Sequence, residues 1–208
     1  MTMVIDYYLA PQSPWAYLGH ERFGRIARAA GATVRVRPVD LGGRVFPVSG
    51  GLPLPKRAPQ RQAYRLVELR RFADWLGMPM HVQPRHFPVQ GDDAARLICV
   101  VEAADGSDAA MRLTGSVLAA VWAEQADIAD AATLAVLLRR LGLPERRLDD
   151  ARTASAQEMY DAHTRAAIDA GVFGAPSYVI DGEIFWGQDR LDFVERRLAR
   201  QAVSSGAS

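Results

Sequence analysis

Two kinds of apolar periodicity alternate along the chain and predict a mixed α/β fold. Residues 3–9 form a short apolar run, and residues 33–39 alternate apolar with basic side chains, so both segments are predicted to be strands. Between them, residues 14–30 carry apolar side chains at helical spacing, and Gly31 ends that helix. The first part of the chain is therefore predicted to be β-α-β.

The middle of the chain has helical spacing throughout, and its end returns to strands. Two short strands are predicted at residues 177–180 and 183–186, and the Asp181-Gly182 pair between them is a strong hairpin signal. A final helix is predicted at residues 188–200. The helices of the middle are predicted at residues 60–76, 92–104, 109–125, 131–141, 145–150 and 155–170.

This order of elements predicts a thioredoxin-like domain of the α/β class with an all-helical insertion. We place the discontinuous thioredoxin-like domain at residues 1–59 and 171–208, and the helical insertion at residues 60–170. The two halves must pair, because neither has enough strands for a stable sheet alone. Residues 41–59, rich in Gly and Pro, are expected to be a long loop, and such loops are often functional. The small polar residues 204–208 are expected to fray.

Composition narrows the classes of partner. The formal net charge is +1, which gives no electrostatic argument for nucleic acid or an acidic membrane surface. Apolar residues make up 49% of the chain, enough for a core, and no apolar run approaches the length of a membrane span. Because the N-terminus also lacks the pattern of a signal peptide, we expect a cytoplasmic protein.

The cysteine and histidine residues exclude some kinds of site. Cys99 is the single cysteine, so neither an intramolecular disulfide nor a cysteine-based zinc site is available. It lies in an apolar helical segment and is expected to be a buried thiol. His81 and His86 are five residues apart, which does not place them on one helix face, and no carboxylate cluster accompanies them. We therefore expect no metal site.

A serine stands at the junction between the first strand and the first helix. Ser13 is well placed to cap the helix, and Pro14 suits the first helical position. The same geometry directs backbone N–H groups and the positive end of the helix dipole at whatever lies above Ser13, so an anion would be stabilised there. Capping alone is the simpler interpretation of the local sequence, and contact with a reactive anion is the alternative. The G-x-S-x-G pattern of serine hydrolases is absent.

Two later motifs lie at comparable junctions. Ala175-Pro176 directly precedes the predicted strand at 177–180; a trans bond is the more frequent form, whereas in the thioredoxin plan this proline is typically cis and faces the first helix. The backbone of Ala175 would then pair with a peptide-like ligand. Gln188 and Asp189 begin the last helix, where they either cap it or bind the ammonium and carboxylate of an amino-acid-like group.

Taken together, these motifs resemble a known enzyme family. Ser13-Pro14-Trp15, Gly174-Ala175-Pro176 and Trp186-Gly187-Gln188-Asp189 look like the corresponding motifs of 2-hydroxychromene-2-carboxylate isomerases, relatives of kappa-class glutathione transferases. Both groups resemble disulfide-forming proteins with a helical insertion in a thioredoxin fold. The resemblance covers nearly the whole chain, and it implies a homodimer that acts on a small aromatic or electrophilic substrate.

The resemblance also implies glutathione as cofactor, with a role for each matching residue. Ser13 would hydrogen-bond the glutathione sulfur and favour the thiolate, with Pro14 and Trp15 lining the site. Ala175, which precedes Pro176, would pair with the cysteinyl part. Gln188 and Asp189 would hold the γ-glutamyl end.

Three positions depart from the family pattern. Arg61 replaces a lysine at the start of the first inserted helix, and arginine still binds a carboxylate. Leu52 replaces an asparagine of the preceding loop, and Arg71-Phe72 replaces an arginine–tryptophan pair. These changes are compatible with glutathione binding but weaken transfer of the exact substrate.

The implied reaction is an isomerisation through conjugate addition. The thiolate adds to an unsaturated aromatic keto acid, a bond becomes free to rotate, and elimination releases the isomer and regenerates glutathione. If the product stays conjugated, the same site is a transferase. A non-catalytic glutathione- or peptide-binding module is a third hypothesis. Dithiol redox chemistry is excluded, because it needs a Cys-x-x-Cys pair where Ser13-Pro14-Trp15-Ala16 stands.

Overall fold

A four-stranded mixed sheet forms the centre of the structure, a computed structural model that describes residues 3–205 and the side chains of residues 3–200. The order is β2-β1-β3-β4, with β1 parallel to β2 and antiparallel to β3, and β3 antiparallel to β4. Since both ends of the chain contribute strands to one sheet, the predicted thioredoxin-like α/β fold is confirmed. The strands are β1 (Val4–Leu9), β2 (Thr33–Pro38), β3 (Ser177–Ile180) and β4 (Glu183–Trp186).

Helices flank the sheet and fill the sequence between β2 and β3. The last helix begins as a 3-10 turn at Gln188–Arg190 and continues to Ser205, past its predicted end. The predicted tail is thus helical to Ser205, and residues 206–208 lie outside the described residues. The α-helices are α1 (Pro14–Ala29), α2 (Phe46–Ser49), α3 (Pro59–Leu76), α4 (Asp92–Asp105), α5 (Ser107–Trp122), α6 (Ala131–Arg140), α7 (Arg147–Asp150), α8 (Ala154–Asp169) and α9 (Leu191–Ser205).

The two faces of the sheet contribute to separate apolar clusters. On one face, the buried rings of Tyr7, Phe23 and Tyr178 pack together with centroids 4.5–5.3 Å apart. On the other face, Tyr8 packs in a cluster with Ala167 of α8. The alternation of Tyr7 and Tyr8 follows from the two-residue period of a strand. Helix α8 therefore covers the sheet, although the sequence prediction assigns it to the insertion; the domain boundaries themselves stay a prediction.

His20 of α1 is buried between the sheet and α5. Its Nε2 donates to the carbonyl oxygen of Met111 at 2.9 Å, which leaves Nδ1 to accept from the Tyr7 hydroxyl at 3.3 Å. Gly115 permits this approach, because a Cβ there would lie 3.0 Å from the imidazole Cδ2. Burial lowers the pKa of His20 to about 4, so the ring is neutral at neutral pH.

The stretch expected to be a long loop, residues 41–59, is built largely from short helical turns. A π-helical turn spans Leu41–Val45, where Asp40 Oδ1 accepts from the Gly43 N–H at 2.7 Å. Arg44 ties this turn to α8 through an ion pair with Asp161 at 2.8 Å. Helix α2 and a 3-10 turn at Leu54–Lys56 follow. The prediction of a loop was wrong because these turns are too short to show a periodicity.

Helix α3 buries a different side from the one its apolar residues predict. Tyr64 and Trp75 are 58% and 71% exposed, whereas Leu69 and Ala73 are buried. The predicted helix at residues 60–76 is present as Pro59–Leu76. Its exposed aromatic residues show that neighbouring elements, rather than the helix alone, decide which side is covered.

Cys99 is buried as predicted. Burial raises the pKa of its thiol to about 12, and its Sγ lies 3.5 Å from His163 Nδ1. Across residues 3–205, no three His, Cys, Asp or Glu side chains gather into a group that could hold a metal ion. A helix long and apolar enough to cross a membrane does not occur in that part of the chain either.

A carboxyl group of α4 binds the backbone of β2, a strand at the edge of the sheet. Glu102 Oε1 accepts the Val36 N–H at 2.6 Å. Burial raises the pKa of Glu102 to about 7, and the neighbouring Asp6 carboxylate acts in the same direction, while the hydrogen bond from the Val36 N–H and the charges of Arg37 and Arg35 oppose it. The carboxyl group is therefore protonated more readily in the folded chain than in the unfolded one.

Replacing Glu102 with Gln is expected to flatten the pH dependence of stability. Between the ordinary pKa of 4.5 and about 7, the folded chain holds more protons than the unfolded chain, so this group makes stability fall as pH rises. Glu102→Gln is neutral throughout and keeps an oxygen for the Val36 N–H. The free energy of unfolding in urea, measured across this window, should decline less in the variant. The exposed Glu158→Gln serves as control, and identical slopes for Glu102→Gln and the native chain would contradict the assignment.

Candidate active site

Ser13 caps α1 at the end of the strand β1. Its backbone is extended (φ −76°, ψ 121°), its N–H donates to the carbonyl of Ala10 at 2.9 Å, and its Oγ accepts the Ala16 N–H at 3.2 Å. The predicted N-cap is thus confirmed. The side chain is 7% exposed, and within residues 3–205 its hydroxyl hydrogen has no acceptor. Capping therefore uses the oxygen and leaves the O–H free to donate.

The first turn of α1 has a second free donor. Pro14 has no N–H, the Ala16 N–H goes to Ser13 Oγ, and the Tyr17 N–H donates to Ser13 O at 3.1 Å. The Trp15 N–H is left without an acceptor among the described residues. Together with the positive end of the helix dipole, these groups favour negative charge next to Ser13.

The loop before β3 presents unpaired backbone at the same end of the sheet. The Ala175–Pro176 bond is cis, as the thioredoxin plan predicts. Pro176 O accepts the Gly187 N–H at 2.9 Å, whereas neither the N–H nor the carbonyl of Ala175 has a partner among residues 3–205. Because β1 pairs Tyr8 with Ser177, Ala175 and the chain leading to Ser13 lie beyond the same sheet end. The structure therefore groups two of the predicted site segments.

The turn that begins the last helix packs against α1. Gln188 is 3% exposed, and a Cβ on Gly19 would lie 2.7 Å from its Cβ, so a glycine is needed for this approach. The Gln188 side-chain amide makes no hydrogen bond within residues 3–205 and is not one of the fully buried unpaired groups, so solvent reaches it. Asp189 instead pairs with Arg190 at 2.5 Å. Gly187 precedes them at φ +101°, a conformation that favours glycine.

The remaining predicted positions lie around α3. Trp15 contacts Phe72 edge-on, with ring centroids 5.9 Å apart, so α3 borders the Ser13 end of α1. The Leu52 side chain is 51% exposed, and its carbonyl accepts from Arg57 Nε at 2.8 Å. Arg61 is exposed in the first turn of α3 and makes no recorded contact with the Ser13 group. Its role in binding stays a prediction.

Sequence reasoning missed two features beside the site. The side-chain oxygen of Gln12 is buried with no donor within residues 3–205, and only a glycine at position 91 leaves room for it. Phe173 and Trp186 form an exposed aromatic pair with centroids 4.9 Å apart next to Gly174. No periodicity or motif marks Gln12. Trp186 lies within one recognised motif and Phe173 directly precedes another, so those motifs were a signal from which the pair could have been predicted.

The chain is similar in sequence to known proteins over nearly its whole length. A family model described as a DsbA-like thioredoxin domain matches residues 4–199. A 2-hydroxychromene-2-carboxylate isomerase of Pseudomonas putida is 28% identical over 200 residues, covering 95% of each chain. One of Sphingobium xenophagum is 29% identical over 199 residues, covering 95% of this chain and 99% of that one.

Solved structures give the same picture of the fold. The structure of a 2-hydroxychromene-2-carboxylate isomerase superposes with a TM-score of 0.80 at 25% identity, covering 99% of this chain and 98% of that chain. The cytosolic disulfide reductase DsbM of Pseudomonas aeruginosa has a TM-score of 0.70 at 18% identity, covering 96% and 98%, and shares the fold alone.

Proposed function

The chain belongs to the DsbA-like thioredoxin-domain family, and on this premise we propose that it is a glutathione-dependent isomerase of the 2-hydroxychromene-2-carboxylate type. One observation carries the proposal. A buried serine hydroxyl with a free hydrogen stands at the N-terminus of α1, at the position where dithiol enzymes need a reactive cysteine. The isomerases of Pseudomonas putida and Sphingobium xenophagum, similar over nearly the whole chain, support the choice of reaction.

The unpaired groups of the site fit glutathione. The Ser13 O–H and the Trp15 N–H suit a thiolate, because both are donors at the positive end of a helix. The free N–H and carbonyl of Ala175 suit the main chain of a bound peptide. The Gln188 amide suits the polar γ-glutamyl end. A tripeptide thiol would therefore satisfy donors and acceptors that the protein itself leaves open.

The chemistry divides between glutathione and the residues of the chain. When bound, glutathione would supply the thiolate that adds to the unsaturated aromatic keto acid and leaves again after bond rotation. Ser13 stabilises the negative charge by donating its O–H, since its oxygen is already occupied by the Ala16 N–H. The dipole of α1 acts in the same direction, so both lower the pKa of a bound thiol. Ala175 orients the bound peptide, and Trp15 forms part of the wall towards α3.

Disulfide exchange by the chain itself is set aside. The segment Ser13-Pro14-Trp15-Ala16 contains no cysteine, and Cys99 is buried with its thiol pKa raised to about 12.

The implied homodimer and cytoplasmic location stay predictions. Sedimentation of the purified protein would decide the first of them.

Glutathione-dependent conversion of 2-hydroxychromene-2-carboxylate is the direct test. We expect the ultraviolet spectrum of this acid to change with enzyme only when glutathione is present, and glutathione to raise the melting temperature of the protein. S-methylglutathione is the matched control: it should bind but support no turnover. Absence of both binding and turnover would overturn the proposal. Conjugation of a nitroaromatic electrophile without isomerisation would indicate a transferase, and binding with neither activity would indicate a non-catalytic module.

A further inference from the structure

Arg65 of α3 is held against two aromatic rings. Its guanidinium carbon lies 5.3 Å from the ring centroid of Phe87 and 5.7 Å from that of Trp122. The two rings are themselves in contact, with centroids 4.9 Å apart. Trp122 is fully buried, whereas Phe87 and Arg65 are half-buried. We call these three side chains the arginine cage.

The arginine cage contains donors but no acceptor. Within residues 3–205, no carboxylate or carbonyl accepts a hydrogen bond or ion pair from the Arg65 side chain, and Trp122 Nε1 has no acceptor either. Burial and the nearby Arg57 lower the pKa of Arg65 to about 10. A cation in such surroundings gains more than a solvated one from an anionic partner.

The arginine cage is connected to the candidate active site through α3 and through the segment that follows Phe87. Arg65 and Phe72 are seven residues apart on one face of α3, about 10 Å along the helix axis, and Phe72 contacts Trp15. Phe87 is four residues before Gly91, which borders the Gln12 side chain. Two separate segments of the chain therefore link the arginine cage to the residues on either side of Ser13.

We propose that Arg65 binds the carboxylate of an aromatic acid substrate, with the half-buried Phe87 beside the ring of that acid and the fully buried Trp122 supporting both side chains from beneath. This assignment rests on the proposed function and makes Arg65 a specificity-determining residue of that site. A planar guanidinium with free N–H groups matches a carboxylate in two parallel hydrogen bonds. The accessible aromatic ring of Phe87 beside it favours a flat apolar body over an aliphatic one. An uncharged aromatic compound could pack against Phe87 but would leave Arg65 without an anionic partner.

Two bicyclic probes that do not react with thiols separate charge from shape: 2-naphthoate and its amide, 2-naphthamide. By isothermal titration calorimetry, we expect the native protein to bind 2-naphthoate at least about tenfold more tightly than 2-naphthamide. Arg65→Met should remove this preference and keep the affinity for 2-naphthamide. Arg65→Lys should keep part of it. Arg70→Met, on the exposed side of α3, is the matched control and should behave as the native protein.

The same variants show whether Arg65 binds the carboxylate of the aromatic acid or a carboxylate of glutathione. They also separate the assignment of Arg65 from the proposed isomerase function. Glutathione also carries carboxylates, so its dissociation constant is measured for each variant, and Arg65→Met should leave it unchanged while raising KM for the aromatic acid. Loss of glutathione affinity with 2-naphthoate binding intact would overturn the assignment, as would equal binding of the two probes by the native protein. A preference for 2-naphthoate without isomerase activity would support Arg65 as the residue that binds an aromatic carboxylate, and it would refute the proposed isomerisation. Should Arg65→Met fail to fold, Arg65→Gln provides the same comparison.

Discussion

Ser13→Ala is expected to lower the turnover of glutathione-dependent isomerisation about 10- to 100-fold, which is the loss of one hydrogen bond to a charged group. Binding should fall less, because the backbone of Ala175 and the Gln188 amide remain. The pKa of the bound glutathione thiol should rise in the variant, and ultraviolet absorbance of the thiolate measures it directly. The same change removes a helix cap, so a loss of about 1 kcal/mol in the free energy of unfolding accompanies it.

A second cap separates the effect on stability from the effect on chemistry. Thr153 begins α8 and its Oγ1 accepts the Ala156 N–H at 3.3 Å, a bond like that of Ser13. Thr153→Ala also removes the bond that this hydroxyl donates to the Asp150 carbonyl at 2.7 Å, so it should cost at least as much stability and leave turnover unchanged. Ser13→Thr keeps a hydroxyl and should retain most of the activity. Near-native turnover in a folded Ser13→Ala protein would reduce Ser13 to a structural cap.

Acid is expected to destabilise the protein through its buried histidines. The folded pKa values of His20 and His163 are lowered by burial from 6.5 to about 4. Between these values the unfolded chain binds more protons, so stability is lost as pH falls from 6.5 towards 4. For the nearly fully buried His20 the loss is about 3 kcal/mol at most. Glu102 acts in the opposite direction over part of this range and reduces the total.

His20→Gln tests the contribution of this one ring. The glutamine amide offers both an acceptor for Tyr7 and a donor for Met111, so the variant should fold, with a lower stability at neutral pH because the packing changes. Its free energy of unfolding, followed by urea titration, should fall less steeply from pH 6.5 to 4 than that of the native chain. His81→Gln, an exposed position, should keep the native slope. A native slope in His20→Gln would refute the role of His20.

Local signals predicted the parts of this fold that depend on short stretches of chain. The Ser13-Pro14 pair marks a helix start from its own chemistry, and Asp181-Gly182 marks the hairpin, where both residues adopt positive φ of 50° and 81°. The turns of residues 41–59 could not be predicted, because an ion pair with Asp161, far away in sequence, holds one of them. Nor could the exposure of Trp75, which depends on what packs around α3.

The candidate site was predictable where its residues form motifs and not where tertiary contacts create it. Ala175 and Gln188 flank elements that sequence patterns identify, so their place at the sheet end followed from the thioredoxin plan. Arg65 carries no such signal, since one arginine among several on α3 looks solvent-exposed from the sequence. It is distinctive only because Phe87 and Trp122, from two other segments, meet beneath it. The side-chain oxygen of Gln12 likewise becomes buried without a hydrogen-bond donor only when the chain folds.

The burial of Cys99 has a practical consequence for the study of this protein. A thiol with its pKa raised to about 12 and a 2% exposed side chain reacts very slowly with alkylating reagents at neutral pH. Reagents such as iodoacetamide can therefore be used on the folded protein as reporters of an added thiol alone. If the protein changes the alkylation rate of added glutathione, that change then reports on glutathione rather than on Cys99, and no cysteine-free variant is needed for the measurement.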